Sequence, residues 1–523
     1  MSRTLTKSNR DTDVAGQPGA RWLVEQVDSV RRAVNGAIDP VTRAKYAQFM
    51  TPPGIARLMA SFFGARRPKL RLLDAGAGVG SLTAAFVAAM LGRTEPPQEI
   101  SVVAYEIDPF LAGHLKSTLV LCERACAASG VRFTGAVRQE DFIAASAGQC
   151  GGDLFGQEQE LFDCAIMNPP YKKIHSASEA RQCLRELGME TSNLYAGFMA
   201  LAARQLREGG EFVSISPRSF CNGPYFRPFR RYFLKTLALR QIHVFESRNE
   251  AFGDDDVLQE NVIVHAVKSV RKPARVDLSV SARADERPRV RHVPHDQVVN
   301  PDDPNAFIHL VVDEHGARAR EHVSQLPASL GDLGLAVSTG RVVDFRARDH
   351  LRPQPERGAA PLIYPVHFSD GFVRWPDPST RKPNAIIANE QTAGLLVPPG
   401  VYVVVKRFSA KEERRRIVAA LYDAGMVSGG CVGFENHLNY FHRQGEGLPR
   451  DLAWGLCLFL NSTVADTYFR QFSGHTQVNA LDLRTFQYPS QAQLRVLAAK
   501  GPPDASDQEA IDAAVEEVLF QPA

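Results

Sequence analysis

The sequence predicts an α/β fold, a mostly parallel sheet with helices on both faces, followed by a C-terminal mixed α+β domain. Between Leu70 and Ala266, short apolar runs alternate with longer helical stretches. That is the pattern of βα units, which bury a parallel sheet on both faces. Beyond about Leu326, short strands and turns replace this alternation, with Pro376-Asp377-Pro378 and Pro398-Pro399-Gly400 as breakers. The 523 residues allow two to four domains at roughly 150 residues each.

Residues 1–37 read as an N-terminal arm, polar and disordered to about residue 20, then an amphipathic helix from Trp22 to Val34. Residues 38–270 form the α/β domain. Its expected strands are Arg71-Leu72-Leu73, Ile100–Tyr105, Phe162–Met167, Glu211–Ile215, Gln241–Phe245 and Val262–Ala266. The last two follow each other closely, which predicts an antiparallel edge. Residues 271–325, with Arg-Ala-Asp-Glu-Arg-Pro-Arg at 283–289 and Asn-Pro-Asp-Asp-Pro at 300–304, read as a peripheral extension and linker. Residues 326–523 form the second domain, ending in an acidic helical tail from Pro502.

Composition bounds the function. Hydrophobic residues make up 44% and charged residues 23%, which excludes a disordered chain, a collagen-like repeat and a disulfide scaffold. No run of about 18 apolar residues suggests a membrane span. The N-terminus has no apolar stretch of a secretory signal, so a cytoplasmic protein is expected. The net charge of +3 excludes a polycation but not a local basic face on a nucleic-acid enzyme. Of eight cysteines, the closest pair, Cys122 and Cys126, is four apart with no nearby histidine. Reduced, mostly buried thiols and no metal are expected.

The chemistry-bearing motifs sit at successive strand ends. Asp74-Ala75-Gly76-Ala77-Gly78-Val79-Gly80 follows the first strand; its glycines let backbone approach a ligand at the carboxyl end of the sheet. Tyr105-Glu106-Ile107-Asp108-Pro109 ends the next strand with a carboxylate placed for two ribose hydroxyls. Glu140-Asp141-Phe142 offers an acceptor for an adenine amine beside an aromatic ring. Three such signals indicate an adenosine cofactor. Their acidity suits cationic, phosphate-free S-adenosylmethionine better than a dinucleotide.

Met167-Asn168-Pro169-Pro170-Tyr171 decides the reaction class. Two prolines fix the backbone and remove two N–H groups. Asn168 adds a side-chain acceptor, so two acceptors can hold the protons of a planar amine. Tyr171 offers a ring for stacking.

In this order the motifs resemble the gamma-class DNA adenine-N6 methyltransferases. The upstream segment Lys45-Tyr46-Ala47-Gln48-Phe49-Met50-Thr51-Pro52 is similar to the cofactor-binding segment of that class, although Ala47 and Met50 stand where Gly and Phe are frequent. The resemblance implies the class I S-adenosylmethionine-dependent methyltransferase fold and a cofactor site of Tyr46, Thr51, Asp74, Gly76, Gly78, Glu106, Ile107, Asp141, Phe142 and Phe198. Phe198 lies in Asn193-Leu194-Tyr195-Ala196-Gly197-Phe198, which resembles the helix lying against the cofactor adenine. Phe252, before Val257-Leu258-Gln259-Glu260-Asn261, takes the role of a second ring over the target base; a buried core Phe is the competing reading. The implied catalytic set is Asn168, Pro169, Pro170, Tyr171 and Phe252.

In the C-terminal half, Ser338-Thr339-Gly340-Arg341-Val342-Val343-Asp344-Phe345-Arg346, Val405-Lys406-Arg407-Phe408-Ser409, Phe434-Glu435-Asn436-His437-Leu438-Asn439-Tyr440 and Ser473-Gly474-His475-Thr476-Gln477-Val478-Asn479 together look like the recognition half of the PstI/BsuBI-type restriction-modification methyltransferases, so that the resemblance spans roughly residues 40–490. Read directly, this half is rich in Arg, Lys, Asn, Gln and His, which can neutralise phosphates and read base edges. Arg341, Arg346, Lys406, Arg407, Asn436, His437, Asn439, His475, Gln477 and Asn479 are the candidate DNA contacts. Solvated faces and Asn/His capping turns compete with that reading. Double-stranded DNA is the expected substrate, CTGCAG the first implied site, and a separate cognate endonuclease the expected partner. An RNA methyltransferase, a protein glutamine methyltransferase and an inactive DNA-binding specificity protein are the alternatives.

Overall fold

The structure is a computed structural model that describes residues 20–38, 49–150, 160–175, 177–246, 260–409, 413–427, 430–473 and 477–521. It divides into two compact units, Met1–Ile308 and His309–Ala523. The expectation of disorder before residue 20 falls outside the described residues. Among the described residues, no helix is long and apolar enough to cross a membrane.

In chain order the first unit places α1 (Ala20–Ala37), α2 (Pro53–Ser61), β1 (Lys69–Ala75), α3 (Ser81–Leu91), β2 (Glu99–Tyr105) and α4 (Pro109–Ala128). Next come β3 (Arg132–Arg138), α5 (Phe142–Cys150), β4 (Phe162–Met167), α6 (Glu179–Glu186), α7 (Leu194–Gln205) and β5 (Leu206–Pro217). The unit continues with α8 (Arg227–Thr236), β6 (Leu237–Phe245), β7 (Asn261–Lys268), β8 (Arg275–Ser281) and β9 (Arg289–Pro294). These strands make one sheet in the order β3-β2-β1-β4-β5-β7-β6-β8-β9. Strands β3 to β5 pair in parallel, and β7 lies antiparallel between β5 and β6.

Burial explains the continuous apolar runs. Every residue of β4 is buried, as required of a central parallel strand covered on both faces. Helix α3 is buried along almost its whole length, including Leu82, Phe86, Val87 and Met90. On α1, Leu23, Val24, Val27 and Val34 face the core, whereas Arg21 pairs with Glu25 in solvent. This is the amphipathic pattern of the sequence, extended at both ends.

Two expectations are corrected. The runs at Gln241–Phe245 and Val262–Ala266 are not an edge, because β8 and β9 extend the sheet beyond them. The same strands show that much of 271–325 is not linker. Val276, Leu278 and Val280 keep a strand period of two that the charged flanks obscure. Ser279 also tolerates burial because its hydroxyl meets Gln241 Nε2 and His243 Nδ1, each at 3.0 Å. Residues 271–308 belong to the first unit, and the helix Glu314–Ser324 belongs to the second.

The second unit contains a six-stranded and a five-stranded sheet among its described residues. Its six-stranded sheet is centred on Val401–Lys406, which pairs antiparallel with Ala419–Asp423 and Leu438–His442. Tyr402, Tyr422, Phe434 and Tyr440 form an aromatic core there, with Tyr402 and Phe434 centroids 5.4 Å apart. The tail after Pro502 carries the helix Gln508–Leu519.

The glycine turn after β1 depends on one close approach. Gly80 has φ 89°, and a Cβ there would lie 2.8 Å from Thr118 Cγ2 and 2.9 Å from Leu115 Cδ1. Thr118 also donates its hydroxyl to the Val79 carbonyl at 2.7 Å, holding α4 against the turn. Gly80→Ala should therefore destabilise the first unit by about 2 kcal/mol or more, from left-handed strain plus overpacking. An unmoved urea transition would show that the turn relaxes without cost.

Candidate active site

A cavity of about 190 Å³ opens at the carboxyl edge of the parallel strands. It is where an open α/β sheet reverses strand order, between β1 and β4. Each preceding motif contributes to its wall: Gly76, Ala77 and Gly78 after β1, Glu106 and Ile107 after β2, Glu140, Asp141 and Phe142 after β3, and Asn168, Pro169 and Pro170 after β4. Phe198 of α7 and Thr51 before α2 also line it.

The glycine turn is tied down by its neighbours. Gly76 and Ala77 donate their N–H groups to the Tyr105 carbonyl at 3.0 and 2.8 Å. Gly76 has φ 76°, and a Cβ there would stand 3.5 Å from Phe198 Cε1 and 4.0 Å from Pro170 Cδ. A side chain would thus fill the space between the ring and the proline.

The two acids after β2 divide the work. Asp108 caps α4 by accepting from the Phe110 N–H at 2.9 Å, with Pro109 at the first helical position. Glu106 instead lines the cavity. Its Oε2 accepts from Gly78 N–H at 2.8 Å and its Oε1 from Asp108 N–H at 2.9 Å. Each oxygen keeps a further lone-pair direction for a hydroxyl. Burial raises the Glu106 carboxyl above its ordinary value, against those N–H groups.

Asp141 is exposed and uses Oδ1 to cap α5, accepting from Ile143 and Ala144 N–H at 2.7 and 3.1 Å. Phe142 is buried and packs between Tyr105 and Phe198, with centroids 5.0 and 5.1 Å away. Ile107 is exposed at the cavity wall.

Asn168 is held in one orientation. Its Nδ2 donates to the Phe49 carbonyl at 2.9 Å and to Thr51 Oγ1 at 3.1 Å. A carbonyl can only accept, so the nitrogen must face Phe49, and both amide protons are consumed. Oδ1 is left as an acceptor, and Asn168 and Pro169 both line the cavity.

Two expectations change. Asp74 is fully buried and is not part of the cavity wall; Thr83 donates its hydroxyl to Asp74 Oδ2 at 2.6 Å, making the pair a brace beneath the turn. Tyr171 does not line the cavity either. Its ring lies 6.2 Å from both Phe49 and Tyr195, and its hydroxyl donates to the Ile215 carbonyl at 3.4 Å. Tyr46 and Phe252 fall outside the described residues. Phe49, Ser81, Lys172 and Leu194 also line the wall. Phe49 was within reach of sequence reasoning, since it lies in the segment quoted for Thr51, but its contribution is a backbone carbonyl that no side-chain pattern marks.

The cavity chemistry fits S-adenosylmethionine. Glu106, Glu140 and Asp141 face Lys172 as the lone Lys or Arg among the described lining residues. Phe142, Phe198, Leu111 and Ile107 supply apolar wall. A pyrophosphate would meet three carboxyl groups; a sulfonium and an adenosine would not be repelled.

In the second unit the DNA candidates separate into two kinds. Asn439 is fully buried in the strand Leu438–His442; its Oδ1 accepts from Thr339 Oγ1 at 3.0 Å and its Nδ2 donates to the Val478 carbonyl at 2.7 Å. It cannot read a base, which corrects its assignment. Asn479 caps the helix Ala480–Arg484 with Asp482. Arg341, Arg346 and His437 are exposed, and Lys406, Arg407, Asn436 and Gln477 partly so. His437 packs on Phe408 with centroids 4.8 Å apart, and Arg407 bonds the Asn436 carbonyl and Gln477 Oε1 at 3.0 and 3.4 Å. His475 falls outside the described residues.

The sequence matches the Eco57I restriction-modification methylase family over residues 131–252. It is 45% identical over 474 residues to the type II methyltransferase M.PstI of Providencia stuartii, covering 90% of this chain and 92% of that protein. It is 42% identical, with the same coverage, to the type II methyltransferase M.BsuBI of Bacillus subtilis. Among solved structures, the type IIL restriction-modification enzyme MmeI in complex with DNA aligns with a TM-score of 0.53 at 11% identity, covering 90% of this chain and 71% of that one. This last likeness concerns the fold.

The brace makes a pH prediction. Burial, with a smaller contribution from the Glu106 charge, lifts Asp74 to about 7. A carboxyl whose folded value exceeds its unfolded value contributes stability that is complete below about pH 4 and lost as pH rises through 7. Asp74→Asn keeps an acceptor for Thr83 without titrating. Its stability relative to the unmodified protein should rise between pH 4 and 7, by on the order of a few kcal/mol. Urea unfolding at both pH values measures this, and a pH-independent difference would refute it.

Proposed function

Because the chain belongs to the type II restriction-modification methyltransferases, we propose that it methylates adenine N6 at one specific sequence in duplex DNA, with S-adenosylmethionine as donor. The observation that carries this reading is the pinned Asn168 amide, whose only uncommitted polar atom is an acceptor. A duplex hides the adenine amine, so the base must leave the stack to reach the cavity edge. There, Asn168 Oδ1 and the Pro169 carbonyl accept the two amine protons and turn the nitrogen lone pair toward the cavity. Glu106 holds the ribose of the cofactor, and Phe142 and Phe198 bound its adenine. When bound, the cofactor supplies an electrophilic methyl group on a sulfonium. As the amine nitrogen formed the new C–N bond, the methyl–sulfur bond would break and the cofactor would leave as a neutral thioether, and one amine proton would then pass to solvent. Orientation and preorganised acceptors suffice for the rate, without a strong base.

The exposed Arg341, Arg346 and His437, with Arg407 and Gln477, are the side chains through which the second unit would contact DNA. A separate endonuclease cutting the same sequence would be the partner. Single-molecule sequencing of DNA from cells expressing the protein should show methyladenine in one sequence context, with CTGCAG the first to score. Its absence from DNA, with methylation found instead on RNA or protein, would refute the reading.

Asn168→Ala should lower kcat by about 10²-fold or more while leaving cofactor affinity unchanged, because only the polarising acceptor is lost. Near-normal turnover would remove Asn168 from the mechanism. Glu106→Ala should weaken cofactor binding by roughly 10- to 150-fold, as expected for loss of a charged acceptor. Calorimetric titration of a folded variant with unchanged affinity would refute the ribose assignment.

A further inference from the structure

Asn261 opens β7 and is only 4% exposed, yet among the described residues neither its Nδ2 nor its Oδ1 has a hydrogen-bond partner. Burying a primary amide with its donors and its acceptor unused is costly, and such groups call for an explanation. The sheet register supplies one. Asn261 pairs with Pro217 of β5, and Ile263 pairs with Ile215. Side chains alternate along a strand, so Asn261 shares a face with Ile263 and Ile215. Tyr171 packs against the apolar cluster on that face, and its hydroxyl meets the Ile215 carbonyl.

Asn168 belongs to the same face. Cys164 and Ile166 of β4 lie in that cluster, and alternation carries the series on to Asn168. Met167 pairs with Ser214, which puts Asn168 one residue beyond, level with Ile215. Strands β4 and β7 flank β5, and Asn261 pairs two residues beyond the level of Asn168, so the two asparagines are separated by about 12 Å, about 10 Å across the sheet and about 7 Å along it. That separation leaves room for a planar heterocycle and two hydrogen bonds of about 3 Å each. Asn261 is also held rigidly at its own start. The Arg218 guanidinium bonds the Glu260 carboxylate at 3.2 Å, and the Arg218 N–H bonds the Glu260 carbonyl at 2.7 Å.

We propose, resting on the adenine reading above, that Asn261 donates a hydrogen bond to a ring nitrogen of the flipped base while Asn168 and Pro169 hold its amine. The buried amide is then satisfied only when the substrate is in place. It favours a base with an acceptor beside its amine, and it accepts a cost in the free protein for that selectivity.

The test uses the full chain and duplexes carrying its mapped site, with the target base as adenine, 1-deazaadenine or 7-deazaadenine. The unmodified protein should methylate one analogue about tenfold or more slowly in kcat/KM. Asn261→Ala, and Asn261→Leu of closer volume, should lose about as much on adenine and no longer distinguish that analogue from it. Both should keep cofactor affinity, and neither should melt lower, because each removes an unsatisfied group. Equal rates on all three bases by the unmodified protein would overturn the proposal. So would variants that retain the discrimination, or that melt several degrees lower while still discriminating. If the unmodified protein makes no methyladenine at all, the adenine reading itself fails.

Discussion

The two hydrogen bonds that Asn168 gives to the Phe49 carbonyl and the Thr51 hydroxyl set the polarity of the whole site. An asparagine can present a donor or an acceptor, and only an acceptor holds an amine with its lone pair free. The choice is imposed by a segment 117 and 119 residues earlier in the chain. The sheet, the prolines and the helix that follows Thr51 all serve to keep these partners in register. With the amide reversed, Asn168 would present its own protons to the cavity instead of an acceptor.

A second division of labour lies in the paired acids. Glu106 and Asp108 are two residues apart, yet Asp108 caps a helix while Glu106 holds the glycine turn and faces the cavity. Capping by Asp108 removes the need for Glu106 to satisfy the helix end. Asp74 and Thr83 brace the same turn from beneath. A motif of acids and glycines thus resolves into one group that faces the cavity and two that support it.

The second unit shows the same sorting with a different outcome. Arg416 is buried, its guanidinium bonded to Ser409 and Ser473 and lying over Phe469 at 5.4 Å. Asn439 and Asn479 are likewise occupied by the fold. Arg and Asn are useful to a DNA-binding surface for the same reason they are useful inside a protein: both make several directional hydrogen bonds. Composition alone therefore overstates the number of side chains available to bases.

The sequence by itself determined the α/β class, the cavity-lining glycines, Glu106, Phe142 and the Asn168-Pro169-Pro170 turn. Each is encoded locally, by the period of apolar residues or by a turn that must follow a strand. Only the tertiary structure decided that β7 lies inside the sheet and that β8 and β9 extend it, because strand order depends on pairing between distant segments. It also decided which way the Asn168 amide points, that Asp74 is a brace, that Asn439 is core, and that Asn261 is buried without a partner among the described residues. These properties belong to contacts made across the fold, and no spacing along the chain records them.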